Sequence, residues 1–253
     1  MNVAEIVELN MTGPIARLTL NRPEQRNALS IDLLAGLHAR LDELAERGGA
    51  NGPRVLILTG AGRSFCAGMD LKQVLGEPGA PLKLLTSLAE ACVRIRSLAC
   101  VSIASVNGAA IGGGCGLTTV CDFAITHAES KMGFPEVDLG VCPAVVAPWL
   151  VRKIGAGRAR GMLLRGGLMT GREAHAAGLV SECVDNLEGL DSATNSLAER
   201  LATGGPKALE TTKRLLNEID GSGDVELARR SARLSADVLA MPEAQAMLRS
   251  KLG

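Results

Sequence analysis

At 253 residues, 47% hydrophobic and 21% charged, the chain can bury roughly three quarters of its unfolded surface, so one large domain, or one with a small appendage, is expected. Lys plus Arg equals Asp plus Glu at 27 each, and the formal net charge of zero excludes an overall basic field for nucleic acid or a polybasic run for a membrane surface. No stretch reaches about 18 uninterrupted apolar residues, the opening Met-Asn-Val-Ala-Glu-Ile has no signal pattern, and the seven Cys show neither C-x-x-C nor metal-ligand spacing, so a soluble cytoplasmic protein of a reducing compartment, without a metal, is the expectation.

Residues 4–9 and 14–20 read as two short strands around Met11-Thr12-Gly13-Pro14. Ser30 then precedes an amphipathic helix to about Glu46, with Leu33, Leu34, Leu37, Leu41 and Leu44 at helical spacing. Val55 to Gly60 is a wholly apolar strand of the buried kind. A helix over 81–98 and a strand over 101–105 follow, then a Gly-rich stretch at 108–116, a short helix and a strand from Cys121 to Thr126. Such strand-strand-helix modules over residues 1–190 argue for an α/β class with parallel pairing. Residues 191–253 read as a helical C-terminal region, with helices over 191–203, 206–219, 223–240 and 242–251, placed to cap the core or to join subunits. With no Tyr, one Trp and three Phe, the core must be aliphatic, and Cys115, Cys121 and Cys142 read as small buried thiols within it.

Two glycine-bearing turns carry the chemistry. Ser64-Phe65-Cys66-Ala67-Gly68-Met69-Asp70-Leu71 follows one buried strand, and Asn107 to Leu117, containing Gly112-Gly113-Gly114, follows another and opens a helix. Each sets backbone N–H groups at a strand's carboxyl end, and the second also at a positive helix terminus. Two N–H groups converging on one point would make an oxyanion hole. Taken singly, each turn is equally a place where strand and helix pack closely for want of a Cβ. Neither fits the dinucleotide or P-loop spacing, and no G-x-S-x-G occurs. His38, His127 and His175 show no metal spacing and read as solvated or hydrogen-bonded.

Together with Asn21-Arg22-Pro23-Glu24-Gln25-Arg26-Asn27-Ala28-Leu29, Cys121-Asp122 and Pro135-Glu136-Val137-Asp138-Leu139-Gly140, the two turns occur in an order that resembles the crotonase (enoyl-CoA hydratase/isomerase) superfamily over about residues 4 to 220. The resemblance implies a crotonase-like spiral of strand-strand-helix turns, homotrimers or hexamers, and an acyl-CoA thioester substrate without a separate cofactor. It also implies oxyanion donors at the N–H of Met69 and of Gly113, and Glu136 as general acid and base. The Ala67 carbonyl would meet the adenine amino group, Arg26 and Lys72 the phosphates, while Gly112, Gly116 and Trp149 would border the acyl part.

One position departs from the pattern. Typical hydratases of the family carry a first glutamate where this chain has Gly116, which neither holds water nor transfers a proton; the second is kept as Glu136. Asp122 reads as structural, and Asp138 as facing away from Glu136. The surrounding Gly-Gly-Gly-Cys-Gly-Leu and Pro-Ala-Val-Val-Ala-Pro-Trp-Leu resemble bacterial 3-methylglutaconyl-CoA hydratase-like proteins. Hydration of a 2-enoyl-CoA by Glu136 alone is the leading expectation. An enoyl-CoA isomerase moving one proton, a decarboxylase of an acyl thioester, and a non-catalytic acyl-CoA-binding protein stand beside it.

Overall fold

The computed structural model describes residues 6–48, 52–76 and 79–252, without the side chains of Lys72, Val74, Lys251 and Leu252. Strands β1 (Val7–Thr12) and β2 (Ile15–Leu20) form an antiparallel hairpin with Thr12 opposite Ile15. The first strand runs beyond the expected residue 9 because Met11 and Thr12 stay in register with Ala16 and Ile15; residues 4 and 5 lie outside the described residues. Helix α1 (Ile31–Glu46) starts where expected, its first turn closed by Ser30, whose hydroxyl accepts the N–H of Leu33 at 3.1 Å. Its leucines are buried against the core.

Next come β3 (Val55–Gly60), β4 (Ser64–Cys66), α2 (Leu71–Gly76), α3 (Ala80–Ser97), β5 (Val101–Val106), β6 (Ala109–Ile111) and α4 (Gly113–Val120). Then follow β7 (Phe123–His127), β8 (Lys131–Gly133), α5 (Ala147–Ile154), α6 (Ala156–Arg165), β9 (Leu168–Thr170), α7 (Gly171–Ala176) and β10 (Glu182–Val184). Four helices end the chain: α8 (Leu187–Ala202), α9 (Pro206–Asp220), α10 (Val225–Leu239) and α11 (Pro242–Leu252).

The strands sort into two sheets, of order β1-β2-β3-β5-β7-β10 and β4-β6-β8-β9. Along β3–β4, β5–β6 and β7–β8, the first strand of each pair joins the larger sheet in parallel and the second joins the smaller one. This is the expected spiral of strand-strand-helix turns. Both faces of the larger sheet are covered, which explains the unbroken apolar run of β3: Leu56 and Leu58 enter the main core, while Val55 and Ile57 pack with Leu190 and Ala198 of α8. The α8 helix begins at Leu187, ahead of the expected residue 191, with Asn186 accepting the Gly189 N–H at its start.

The strand expected from Cys121 begins at Phe123 instead. Asp122 turns its carboxylate back to Ser102, taking that residue's N–H at 2.8 Å and its hydroxyl at 2.9 Å, and so leaves the ladder at that point. The C-terminal helices are not a free appendage, since α10 packs along α3 and the hydroxyl of Ser235 donates to the Cys142 carbonyl at 2.7 Å. No helix among the described residues is long and apolar enough to cross a membrane.

Candidate active site

Met69, Gly113 and Glu136, far apart in sequence, line one cavity with room for about one water, near 20 Å³. Leu85 and Leu88 of α3 form one wall; Val141, Val145 and Val146 form another; Cys142, Pro143 and Ser235 complete it.

Met69 is set by a short parallel bridge to Leu29. In that bridge the N–H of Leu29 donates to the Gly68 carbonyl at 2.7 Å, and the N–H of Asp70 donates to the Leu29 carbonyl at 2.9 Å. The pairing therefore uses the residues on either side of Met69 and turns its own N–H away from Leu29. Asn27 holds the segment that makes this bridge. Its side chain accepts the Arg22 N–H at 2.8 Å and donates to the carbonyls of Ala61 at 3.0 Å and Ser64 at 2.8 Å, and burial keeps water from competing. Gly113 is the first residue of α4, so its N–H has no intrahelical acceptor and lies at the positive end of the helix.

Glu136 opens a single 3-10 turn over Val137–Leu139, and its carbonyl accepts the N–H of Leu139 at 3.0 Å and of Val141 at 2.8 Å. Its side chain is buried, and Oε2 has no hydrogen-bond partner among the described residues. Burial raises its pKa from 4.5 to about 7, opposed by its own backbone N–H. The carboxyl lies against Gly112, where a Cβ would stand 2.9 Å from Oε1 and displace it; that glycine also has φ +54, so the backbone favours glycine and the open space leaves the carboxyl its place.

Gly116 does not line the cavity. A Cβ there would meet Cγ1 of Val146 at 2.4 Å, so the valine is seated directly over the glycine and covers it from the cavity. Ala67 donates its N–H to the Arg26 carbonyl at 3.0 Å, which puts these two residues side by side, with the Arg26 side chain exposed. The Lys72 side chain lies outside the described residues. Trp149 is buried in the core and not among the residues lining the cavity; the Arg152 guanidinium lies over its ring, 5.2 Å from the centroid.

Asp138 faces elsewhere, its carboxylate taking the Gly167 N–H at 2.7 Å. Asp122 is held by Ser102, Arg96 and Lys213 and is structural. All seven cysteines are free, and burial pushes Cys115 and Cys121 up to about 12. Cys142 differs from the expectation of a buried thiol: it is only half-buried, because it sits at the rim of the cavity. The His38 ring is hydrogen-bonded, with Nδ1 accepting from Arg94 at 2.8 Å and Nε2 facing the Ser87 carbonyl at 3.1 Å. Sequence reasoning missed Ser235 and Val146, since neither belongs to a local motif.

Residues 10–238 match the family model described as enoyl-CoA hydratase/isomerase. The chain is 34% identical over 202 residues to the 2,3-dehydroadipyl-CoA hydratase of Escherichia coli (strain K12), covering 79% of this chain and 77% of that one. Among solved structures it is similar to Pseudomonas aeruginosa AtuE, with 34% identity, a TM-score of 0.80 and coverage of 95% and 93% of the two chains. It is likewise similar to the enoyl-CoA hydratase from Bacillus anthracis, with 31% identity, a TM-score of 0.79 and coverage of 92% and 90%.

Proposed function

The chain belongs to the enoyl-CoA hydratase/isomerase family, and from that premise we propose that it adds water across the double bond of a 2-enoyl-CoA thioester, with Glu136 as the single general acid and base. The observation that carries this reading is the Glu136 carboxyl itself, buried, unpartnered at Oε2 and facing a cavity with room for about one water.

The N–H groups of Met69 and Gly113 would hold the thioester oxygen. As water attacks C3, the double-bond electrons move toward the carbonyl and charge gathers on that oxygen, where fixed N–H dipoles stabilise it without reorganising. The water's proton passes to the Glu136 carboxylate, and the same carboxyl returns it to C2, so the carboxylate is regenerated at the end of the cycle. A pKa of about 7 suits both halves of that exchange at neutral pH. Outside the cavity, Ala67 would meet the adenine, with Arg26 and Lys72 on the phosphates. The exposed Leu215, Leu216 and Ile219 of α9 offer an apolar face for assembly into trimers or hexamers, and the region over 191–253 would serve as cap and subunit contact.

A second reading is favoured by Val146 over Gly116, which leaves no second acid at that wall. An isomerase needs only one carboxyl, which takes a proton from C2 of a 3-enoyl-CoA and returns it to C4. Turnover of crotonyl-CoA, 3-methylglutaconyl-CoA and a 3-enoyl-CoA by the parent and by Glu136→Gln separates the two. Hydration of a 2-enoyl ester that is lost in the variant is the expected result; conversion of the 3-enoyl ester alone would replace hydration with isomerisation. Binding of CoA esters with no turnover of any would overturn both.

A further inference from the structure

Resting on the acyl-CoA reading above, we infer that the acyl part of the substrate is short and uncharged, and that Val146 seated on Gly116 sets its length. Two observations carry this independently.

The first is charge. Among the described residues that line the cavity, none is cationic, and the only charged group is Glu136. A second carboxylate, such as the far end of a dicarboxylic acyl group, would enter an apolar chamber beside a carboxyl already pressed toward its neutral form by burial. Like charge and desolvation would both oppose it, with nothing on the cavity wall to compensate. In this respect the chain departs from what the name of its Escherichia coli relative, a hydratase of a dicarboxylic acyl-CoA, would suggest.

The second is space. With room for about one water, the cavity takes even a short acyl group only as a wall yields, so chain length is set by how far the walls can give. Val146 is a stiff, β-branched side chain resting on a glycine that has no atom to spare beneath it. Trimming Val146 therefore enlarges the chamber, whereas adding a methyl at Gly116, with Val146 Cγ1 only 2.4 Å from the new Cβ, drives the valine toward it. The two changes should act in opposite directions on chain length, and should offset one another when combined.

The test is equilibrium binding of saturated esters, which needs no turnover: butanoyl-CoA, octanoyl-CoA and glutaryl-CoA against the parent, Val146→Ala, Gly116→Ala and the double variant. The parent should prefer butanoyl-CoA to each of the others by at least about tenfold. Val146→Ala should narrow the butanoyl-to-octanoyl ratio by about tenfold, Gly116→Ala should widen it, and the double variant should fall between them. Thermal melts of the four proteins should show the Gly116→Ala penalty reduced when Val146 is trimmed, a coupling that holds even for a variant too weak to assay. Glutaryl-CoA binding as tightly as butanoyl-CoA, or a chain-length ratio indifferent to Val146→Ala, overturns the inference. Failure of every ester to bind the parent would instead overturn the acyl-CoA reading on which it rests.

Discussion

Burial gives the Glu136 carboxyl a dependence on pH that can be read in stability as well as in catalysis. Below its ordinary value of 4.5, folded and unfolded chains both carry the proton, and burial makes no difference. Between 4.5 and about 7 the unfolded chain ionises first, the folded state binds more protons, and stability falls as pH rises. Above about 7 the loss is complete and amounts to roughly 3 kcal/mol. Glu136→Gln keeps the shape and removes the ionisation. In urea unfolding the variant should gain up to about 3 kcal/mol over the parent at pH 8.5 and little at pH 5. An equal gain at both values would mean that the folded-state carboxyl titrates as an ordinary one. Activity should be lost at every pH, because no other carboxyl lines the cavity among the described residues.

At the scale of elements, the helix α10 closes the site that the strand turns build. The Ser235 hydroxyl donates to the Cys142 carbonyl and accepts the Ala144 N–H at 3.1 Å, which pins the segment running on to Val145 and Val146. Ser235→Ala leaves both backbone groups without that partner and should lower stability by about 1 to 3 kcal/mol in a thermal melt, with KM for the ester rising as the wall loosens. An unchanged melting temperature would mean that other contacts hold the segment. Elements of this kind were legible in the sequence where a local signal existed: the leucine periodicity and Ser30 mark α1, and the unbroken apolar run marks β3. That Met69, Gly113 and Glu136 meet at one cavity was legible because glycine turns follow buried strands and match an ordered motif set. Ser235 and Val146 were not, because their roles depend on tertiary neighbours with no counterpart in local pattern. The start of β7 was misread for the same reason, since Ser102 draws Asp122 out of the ladder.

Across the whole molecule, two helices connect the cavity to a charged cluster at their other ends. The α3 helix carries Leu85 and Leu88 at the cavity and Arg96 in its last turn, while α4 begins at Gly113 and is followed by Asp122. Asp122 meets Lys213 of α9 at 2.9 Å and Arg96 at 3.4 Å; Lys213 also donates to the Cys100 carbonyl at 2.9 Å, and Arg96 reaches Asp220 at 2.8 Å. With Lys213 buried, removing one partner leaves a charge that water cannot reach. Asp122→Ala should therefore lose about 3 to 5 kcal/mol, more than Lys213→Met, which replaces the cation with an apolar chain of similar length. The cluster lies the length of α4 from Gly113, about 12 Å at 1.5 Å per residue over its eight residues. Salt screens buried charges little, and at an effective dielectric of about 20 a unit charge about 12 Å away is worth about 1.4 kcal/mol, so losing the Asp122 charge should lower the pH midpoint of activity by no more than about one unit. Measuring the unfolding free energy and the pH–rate profile of Asp122→Ala together tests the separation: a lower stability with a midpoint moved by less than a unit places the cluster chiefly in the scaffold, whereas a larger displacement would mean that α4 carries its electrostatics to Glu136.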